Sequence, residues 1–376
     1  MRILIVIDQY DDSNNGTTIS AQRFANGLKN AGHEVFIIST GKPNDYKTSV
    51  KPIHLTPIVS YIVRSQGMRF AMPNKSKLRE AISKVDIVHF YMPFFLSNQG
   101  VKIAEELGVP HTAAFHVQPE NITYTIGLGE NKKINNYIYT FFNKHFYNKF
   151  NHIHCPSQFI ANQLKEHGYT AKTHIISNGV DDDFKYIKSD KPTELEDKFV
   201  ITMIGRYSNE KRQDVLIDAI SKSKYENKIQ LVLAGKGPKE NSYKNLGKKL
   251  TNTPIMEFYT KEDLITLLSY TDLYVHAADA EIEAISCIEA FACGLVPIIA
   301  NSSNSATPQF ALNENSLFEA GNSEDLAKKI DYWIENPIEK KQMEIEYSKS
   351  AEKYRLSNSI KQIERMFEDA IIESNS

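Results

Sequence analysis

The chain has 376 residues, 41% of them hydrophobic and 24% charged, which is ordinary for a soluble globular protein but too long for one hydrophobic core. The three cysteines, Cys155, Cys287 and Cys293, lie in or beside apolar runs, so they indicate buried thiols in a reducing compartment rather than a disulfide framework. No apolar run is long enough for a signal-peptide core or a bilayer span. We therefore expect a two-domain cytoplasmic protein.

The net charge of −2 hides an uneven distribution along the chain. Residues 1–180 carry 19 Lys and Arg against 12 Asp and Glu, whereas the remaining residues carry 25 against 34. Because the two halves differ in the sign of their charge, we expect them to bind different partners.

The first half alternates short apolar runs with segments of helical period. The strand-like runs are RILIVID, VFIIST, VDIVHFY, VPHTAAFH and HIHCPS, and the clearest helical segments are ISAQRFANGLKNAGHE and FIANQLKEHG. This alternation predicts a parallel sheet with crossover helices.

The same alternation restarts after a polar, Pro-containing segment at 181–197, with the strand-like runs FVITMIG, IQLVLAG, MEFY, LYVHAA and VPIIA. We predict an α/β fold of two Rossmann-like doubly wound domains facing a cleft, at 1–185 and 195–355. A last helix at 356–373 has one apolar face, which must be buried on another element; the apolar residues are Ile360, Ile363, Met366, Phe367 and Ile371. Ligands of such sheets bind at the carboxyl ends of the strands, in strand-to-helix loops.

One such loop follows the first strand and contains Gly16 just before a helix. A glycine there lets the backbone approach an anion, and the helix N-terminus favours a phosphate. The loop lacks the G-x-G-x-x-G spacing of dinucleotide-binding proteins, and the alternative interpretation is a simple helix cap.

A second loop follows the first strand of the second half and places Arg206 and Lys211 five residues apart, directly after Gly205. Two cations in such a loop can clamp a diphosphate and stabilise it as it leaves. The alternative is two solvated surface cations.

Two carboxylates, Glu281 and Glu289, frame the segment EIEAISCIE. Glu289 lies among apolar residues, where a carboxylate is costly unless it accepts hydrogen bonds, and the vicinal hydroxyls of a ribose offer two donors. The alternative is that Glu289 caps or pairs with a neighbouring group.

These motifs occur in the order G-R-x4-K, G-x-G-P at Gly235 to Pro238, and E-x7-E followed by A-x-x-C-G-L-V-P. In this order they resemble the retaining, nucleotide-sugar-dependent glycosyltransferases of family 4, which have the two-domain GT-B fold. The resemblance covers essentially the whole chain, and it implies that the last helix crosses back to cover the first domain. It implies that Arg206 and Lys211 bind the donor diphosphate, that Glu289 binds the ribose and that Glu281 binds a hydroxyl of the transferred sugar.

The resemblance also assigns two residues of the first domain. Gly16 would border the phosphate and the acceptor, and His116 matches the family's histidine at the sugar end of the cleft, with a catalytic role. A lone histidine is more often structural. Retention is expected to follow a front-face attack in which the departing phosphate takes the acceptor proton.

The chain departs from the family pattern in two loops. Where the family commonly has E-G-F-G, this chain has Glu281, Ile282, Glu283 and Ala284. The altered loop does not distinguish UDP-glucose from similar hexose donors. The later G-G-x-x-E pattern is absent. No D-x-D lies in a loop suited to a metal, so we expect no metal cofactor, with cationic side chains neutralising the diphosphate.

The acceptor must be inferred from two acid-free basic stretches, 46–79 and 131–150. The first contains Lys47, Lys51, Arg64, Arg69, Lys75, Lys77 and Arg79. The second sets Ile134, Tyr137, Ile138, Phe141, Phe142 and Tyr147 near helical spacing beside Lys132, Lys133, Lys144 and Lys149.

A basic, aromatic amphipathic helix is typical of proteins that lie on the inner face of an anionic membrane. The acceptor would then be a lipid such as diacylglycerol, or otherwise a cell-envelope glycan. The alternative is a core helix with a solvated basic rim. Nucleic acid is excluded as a partner by the acidic second half and the donor motifs.

Two further functions fit the same fold. A nucleotide-sugar epimerase would need no acceptor surface, and a non-catalytic nucleotide- or glycan-binding protein would need no reactive centre. The four residues Arg206, Lys211, Glu281 and Glu289 are all present, which argues against the non-catalytic function.

Overall fold

Buried parallel strands alternate with amphipathic helices along the chain, as the hydrophobic periodicity predicts. A computed structural model describes residues 1–11, 16–56, 63 and 68–374. The chain divides into a first unit, Met1–Gly179 with Leu356–Ser376, and a second unit, Val180–Arg355. The polar segment 181–197 therefore belongs to the second unit, whereas the sequence analysis places the domain limits at 185 and 195.

The described residues of the first unit form a seven-stranded parallel sheet in the order β3-β2-β1-β4-β5-β6-β7. Its strands are β1 Arg2–Val6, β2 Glu34–Ser39, β3 Lys47–Ser49, β4 Ile87–Phe90, β5 His111–Ala114, β6 His152–Cys155 and β7 Lys172–Ile175. Its helices are α1 Gly16–Asn30, α2 Lys75–Ile82, α3 Phe95–Leu107, α4 Pro119–Thr125, α5 Lys132–His145 and α6 Gln158–Glu166, with α13 Leu356–Ser374 added from the end of the chain.

The main sheet of the second unit has the order β10-β9-β8-β11-β13-β15, with β12 and β14 paired separately. Its strands are β8 Phe199–Ile204, β9 Ile229–Ala234, β10 Ile255–Glu257, β11 Leu273–His276, β12 Ala280–Glu281, β13 Pro297–Asn301, β14 Asn304–Ser305 and β15 Leu317–Glu319. Its helices are α7 Gln213–Lys222, α8 Glu240–Gly247, α9 Lys261–Tyr270, α10 Ile285–Ala292, α11 Ser323–Glu335 and α12 Pro337–Ser350.

Both main sheets reverse their strand order once, and that point positions the site. The reversal lies between β1 and β4 in the first unit and between β8 and β11 in the second. The strand order is that of doubly wound nucleotide-binding folds, in which ligands bind at the carboxyl ends of the strands beside the reversal. The loops after β1, β4, β8 and β11 are therefore the places to look for chemistry.

The last helix, α13, packs on the first unit, as its apolar face predicts. Ile363, Met366 and Phe367 are fully buried, and the Phe367 ring meets His89 of β4 at 5.3 Å. A Cβ at Gly27 of α1 would overlap Ile360, so the glycine lets the two helices approach closely. The chain thus returns to complete the core of its first unit.

Candidate functional site

Two neighbouring loops of the second unit hold most of the predicted donor residues. We call residues 205–212 the β8 loop and residues 277–284 the β11 loop. They follow adjacent strands, since Leu273 pairs with Ile201 and Tyr274 with Thr202 in parallel register. Their backbones are joined directly, because the Asp279 amide donates to the Glu210 carbonyl at 2.8 Å. The predicted residues Arg206, Lys211 and Glu281 are thus brought to one edge of the sheet.

The β8 loop holds Arg206 in a defined position. Its guanidinium donates to Glu210 Oε1 at 2.8 Å, and its carbonyl accepts from the Gln213 side chain at 2.9 Å. Burial opposes ionisation of Glu210, but Arg206 outweighs this effect and lowers the pKa of the carboxyl below its usual value. Arg206 is therefore a partly exposed cation whose guanidinium is oriented by the ionised Glu210.

The glycines of the predicted G-x-G-P motif pack against this loop. The Tyr207 amide donates to the Lys236 carbonyl at 3.2 Å, and a Cβ at Gly237 would come within 2.5 Å of the Tyr207 carbonyl oxygen. A Cβ at Gly235 would overlap the Gly205 carbonyl. The motif therefore supports the β8 loop through close backbone packing.

Lys211 and Glu281 form the central ion pair of the site, and His276 joins them. The Lys211 ammonium and His276 Nε2 both donate to Glu281 Oε1, the latter at 3.1 Å. Burial raises the pKa of Glu281, but the charge of Lys211 and the bond from His276 outweigh it and lower the pKa to about 2. Glu281 is therefore an ionised, almost buried carboxylate at neutral pH.

Glu289 lies on α10, which begins directly after the β11 loop. It is 8% exposed, and it lies close enough to the buried Tyr274 phenol that its charge and that of Glu281 both help to raise the Tyr274 pKa, after burial and Cys287. The charges of both predicted carboxylates thus act on one buried tyrosine of β11.

The altered part of the β11 loop has an unusual backbone. Ala284 is left-handed, with φ 67° and ψ 77°, a conformation that costs a non-glycine residue on the order of 1 kcal/mol. Glu283 beside it is only 1% exposed. The loop therefore keeps the backbone shape that a glycine adopts easily, while adding a buried carboxyl.

Sequence reasoning missed three residues of this site. Arg212, left-handed at φ 56°, donates to Asp279 Oδ2 at 2.9 Å and so ties the β8 loop to the β11 loop. His276 contacts Glu281. His276 and Asp279 could have been found from their position, because they lie in and directly after the strand-like run LYVHAA, where ligands of such sheets bind.

The predicted residues of the first unit lie after β1 and β5. Gly16 is the exposed first residue of α1, and nothing in the described chain lies within 4 Å of where its Cβ would stand. Residues 12–15 of the same predicted loop lie outside the described residues. The space beside Gly16 is consistent with a ligand near the α1 N-terminus.

His116 is buried two residues beyond β5, with 5% exposure. Its ring stacks on Tyr91 at 5.1 Å and meets His154 edge-on at 5.3 Å, yet neither ring nitrogen finds a hydrogen-bond partner in the described chain. Burial, and then His154, lower the pKa of His116 well below its usual value. The ring is therefore a neutral imidazole with two unused polar atoms.

Asp8, which sequence reasoning also passed over, ends the first strand run. It is fully buried, its Oδ1 accepts from the Ala71 amide at 2.8 Å, and its Oδ2 has no partner among the described residues. Burial raises the pKa of Asp8 to about 7, although the Ala71 bond acts in the opposite direction. This carboxyl is half-protonated near neutral pH.

The helix α5 departs from the sequence prediction. Its apolar residues do not share one face: Phe142 and the following Tyr147 are buried in the core, whereas Tyr137 and Phe141 are 71% and 45% exposed. Two apolar stripes lie side by side because residues 135, 139 and 142 turn inward together. Phe142 and Tyr147 therefore belong to the core, as the alternative of a core helix with a basic rim expects, and Tyr137 and Phe141 form the exposed aromatic face.

The exposed stripe continues into what we call the aromatic ridge, an unbroken row of rings in the first unit. Successive ring centroids lie 4.6 to 6.5 Å apart. The ridge consists of Tyr137, Phe141, Phe142, Phe94, Phe70 and Phe95. Its ends are the most exposed, with Phe95 at 57%, and Lys132, Lys133 and Lys144 of α5 are exposed beside it.

The basic stretch 46–79 is less uniform than the sequence suggested. Lys47 is buried and paired with Asp11 at 2.5 Å, so its place in a basic surface was wrong. Arg79 pairs with Glu106, while Lys51 and Lys75 are exposed. Arg64 lies outside the described residues. No helix in the described part of the chain has the length and apolarity that crossing a bilayer needs.

Comparison with known proteins agrees with this geometry. Residues 14–184 match the family described as Glycosyltransferase Family 4, and residues 185–353 match Glycosyl transferases group 1. The chain is 27% identical to the alpha-monoglucosyldiacylglycerol synthase of Streptococcus pneumoniae over 80% of this chain and 71% of that one.

Two solved structures are also similar. The structure of Anabaena Alr3699/HepE in complex with UDP and glucose superposes with a TM-score of 0.77, at 16% identity, over 98% of this chain and all of that one. The catalytic domain of cholesterol-alpha-glucosyltransferase from Helicobacter pylori is 52% identical over 42% of this chain and 98% of that one, with a TM-score of 0.41. The chain is a glycosyltransferase and belongs to glycosyltransferase family 4, with the GT-B fold.

Proposed function

We propose that this enzyme transfers glucose from UDP-glucose to a hydroxyl group of a membrane lipid, with retention of the anomeric configuration. One observation supports the assignment of the donor. Arg206, Lys211 and the ionised Glu281 lie together where the sheet of the second unit reverses its strand order. Cations at that position suit a diphosphate, and a fixed carboxylate suits a sugar hydroxyl.

The chemical step needs charge stabilisation at the leaving group. The bond between the sugar C1 and the phosphate oxygen breaks, and the acceptor oxygen bonds to C1 on the same face while its proton passes to that phosphate oxygen. Negative charge grows on the diphosphate, and Arg206 and Lys211 lie in a loop suited to neutralising it. In this proposal the two cations take the part that a divalent metal plays elsewhere.

The remaining predicted residues have roles in the same proposal. Glu289 binds the ribose hydroxyls, and Glu281 binds a hydroxyl of the glucose. Neutral His116 offers one donor and one acceptor, and its unpartnered nitrogens suit an uncharged hydroxyl. Gly16 leaves room for a ligand at the α1 N-terminus.

Two features favour a lipid acceptor. The Streptococcus pneumoniae relative is named for making a glucosylated diacylglycerol. The aromatic ridge also exposes the rings of Tyr137, Phe141 and Phe95 at its ends, and α5 carries lysines in a stretch without acidic residues, which suits the interface of an anionic bilayer. The first unit would then take its acceptor directly from the membrane surface.

Removing the exposed end of the ridge is expected to weaken membrane binding. The variant Tyr137→Ser/Phe141→Ser should bind vesicles of phosphatidylglycerol and phosphatidylcholine at least about tenfold more weakly, because two interfacial rings are lost. Co-sedimentation measures this. The matched control is Ile338→Ser, which removes an 88% exposed apolar side chain from the second unit. Equal loss in both variants, or binding that ignores the anionic lipid, would contradict the proposal.

The proposed function is tested by measuring transfer from UDP-, GDP- and ADP-sugars, with and without vesicles that carry diacylglycerol or a sterol. We expect turnover of UDP-glucose that rises with a lipid acceptor and persists in EDTA. Turnover of GDP-mannose alone, or of no donor, would refute the UDP-glucose assignment. Interconversion of the sugar without any acceptor would instead indicate an epimerase.

A further inference from the structure

A buried hydrogen-bond chain runs behind Glu281. The Tyr274 hydroxyl lies 3.2 Å from both His276 Nδ1 and Ser286 Oγ, and His276 Nε2 lies 3.1 Å from Glu281 Oε1. Tyr274 and His276 are both fully buried. The chain starts on α10, crosses the end of β11 and ends on the carboxylate that the proposed function assigns to the sugar.

Both donors to Glu281 reach the same oxygen. Lys211 and His276 donate to Oε1, and Oε2 accepts no hydrogen bond from the described part of the chain. Two donors on one oxygen fix the plane of the carboxylate and leave its second oxygen available. That second oxygen can accept a hydroxyl proton from a sugar.

The direction of the His276 hydrogen bond follows from charge. Because Glu281 is ionised, it can only accept, so Nε2 of His276 must carry a hydrogen. Nδ1 is held by the Tyr274 hydroxyl, and the ring is thereby locked at both nitrogens. Tyr274 thus supports the orientation of His276, as His276 supports that of Glu281.

We propose that His276 is a positioning residue that holds Glu281 in the orientation that binds the transferred sugar. This inference rests on the proposed function. Lys211 cannot do this alone, because in the reaction its charge is shared with the donor diphosphate. His276 is the second contact on Oε1, and the buried chain to Tyr274 holds it behind the carboxylate.

The test separates sugar contacts from nucleotide contacts. His276→Ala is expected to lower kcat for glucosyl transfer about 30-fold while leaving the Kd for UDP within about twofold, because UDP lacks the sugar that Glu281 meets. His276→Gln should recover most of the rate, since its amide can donate to Glu281 in place of Nε2. In a Glu281→Gln background, the His276→Ala change should cost less than threefold.

Parallel loss of UDP binding and kcat, or full additivity of the two changes, would overturn the inference. Tyr274→Phe provides a second route if His276→Ala folds poorly: it keeps the ring and removes only the hydroxyl, and kcat should fall severalfold with UDP binding intact. An unchanged kcat in Tyr274→Phe would also count against the inference. Wild-type turnover is established first with the donor panel, so failure of the proposed function is recognised separately.

Discussion

Replacing Lys211 with alanine is expected to lower kcat/KM for glucosyl transfer about a hundredfold, which corresponds to about 2.7 kcal/mol of barrier. Lys211 lies beside Arg206 in the β8 loop and pairs with Glu281. Under the proposed function, its loss removes a cation that stabilises the departing diphosphate, and it leaves an almost buried carboxylate with His276 alone. Steady-state transfer assays with UDP-glucose measure the effect.

Loss of activity must be separated from loss of folding, since breaking a buried ion pair destabilises a protein by roughly 3 to 5 kcal/mol. The double variant Lys211→Met/Glu281→Gln removes both charges together and should recover stability but not activity. Lys248→Ala, an exposed lysine of the same unit, serves as the neutral control. Activity that returns in the double variant would contradict a role for Lys211 at the diphosphate.

Replacing Asp8 with asparagine is expected to remove a pH dependence of stability in the first unit. The pKa of Asp8 is about 7 in the folded protein, above its ordinary value of 3.8, chiefly because of burial. The folded state therefore binds this proton more tightly than the unfolded state. The stability that the protonated form provides is fully present below pH 4 and is lost as the pH rises through 7.

As the pH rises from 5 to 8, the free energy of unfolding of Asp8→Asn should increase relative to that of the wild type by on the order of 3 kcal/mol. Asparagine keeps an oxygen that can accept from the Ala71 amide. Hydrogen exchange of the β1 amides follows the first unit, and fluorescence of Trp333, the single tryptophan, follows the second.

Asp86→Asn is the matched control, because hydrogen bonds from Arg2 lower the pKa of Asp86, so this change should bring no stabilisation at pH 8. Parallel stability curves for Asp8→Asn and the wild type would show that Asp8 ionises normally.

The fold was predictable because buried parallel strands read as short apolar runs. β9, IQLVLA, and β11 are buried at every position, and β8 is buried at all but its first and last residues. The prediction of two Rossmann-like domains with a returning helix was confirmed, as was the family. The donor motifs could be recognised because the members of each pair are close in sequence: Arg206 and Lys211 lie within one short segment, and Glu281 and Glu289 within another.

Other features depended on contacts that a linear pattern does not contain. The link from His276 to Glu281 crosses a turn, and burial of Lys47 depends on Asp11, 36 residues away. The split of α5 into a core stripe and an exposed stripe depends on which neighbouring elements cover it. The catalytic and binding roles of His116, Gly16 and the donor residues stay predictions until the variants are measured.

The return of α13 to the first unit has a consequence for biosynthesis. Residues 1–179 leave the ribosome long before Met366 and Phe367, which fill their core. The second unit is contiguous and can complete its core first, whereas the first must hold an uncovered apolar surface until α13 has been synthesised. Its last contacts close a chain of some 180 intervening residues, so the first unit matures only after the whole second unit and α13 have been made.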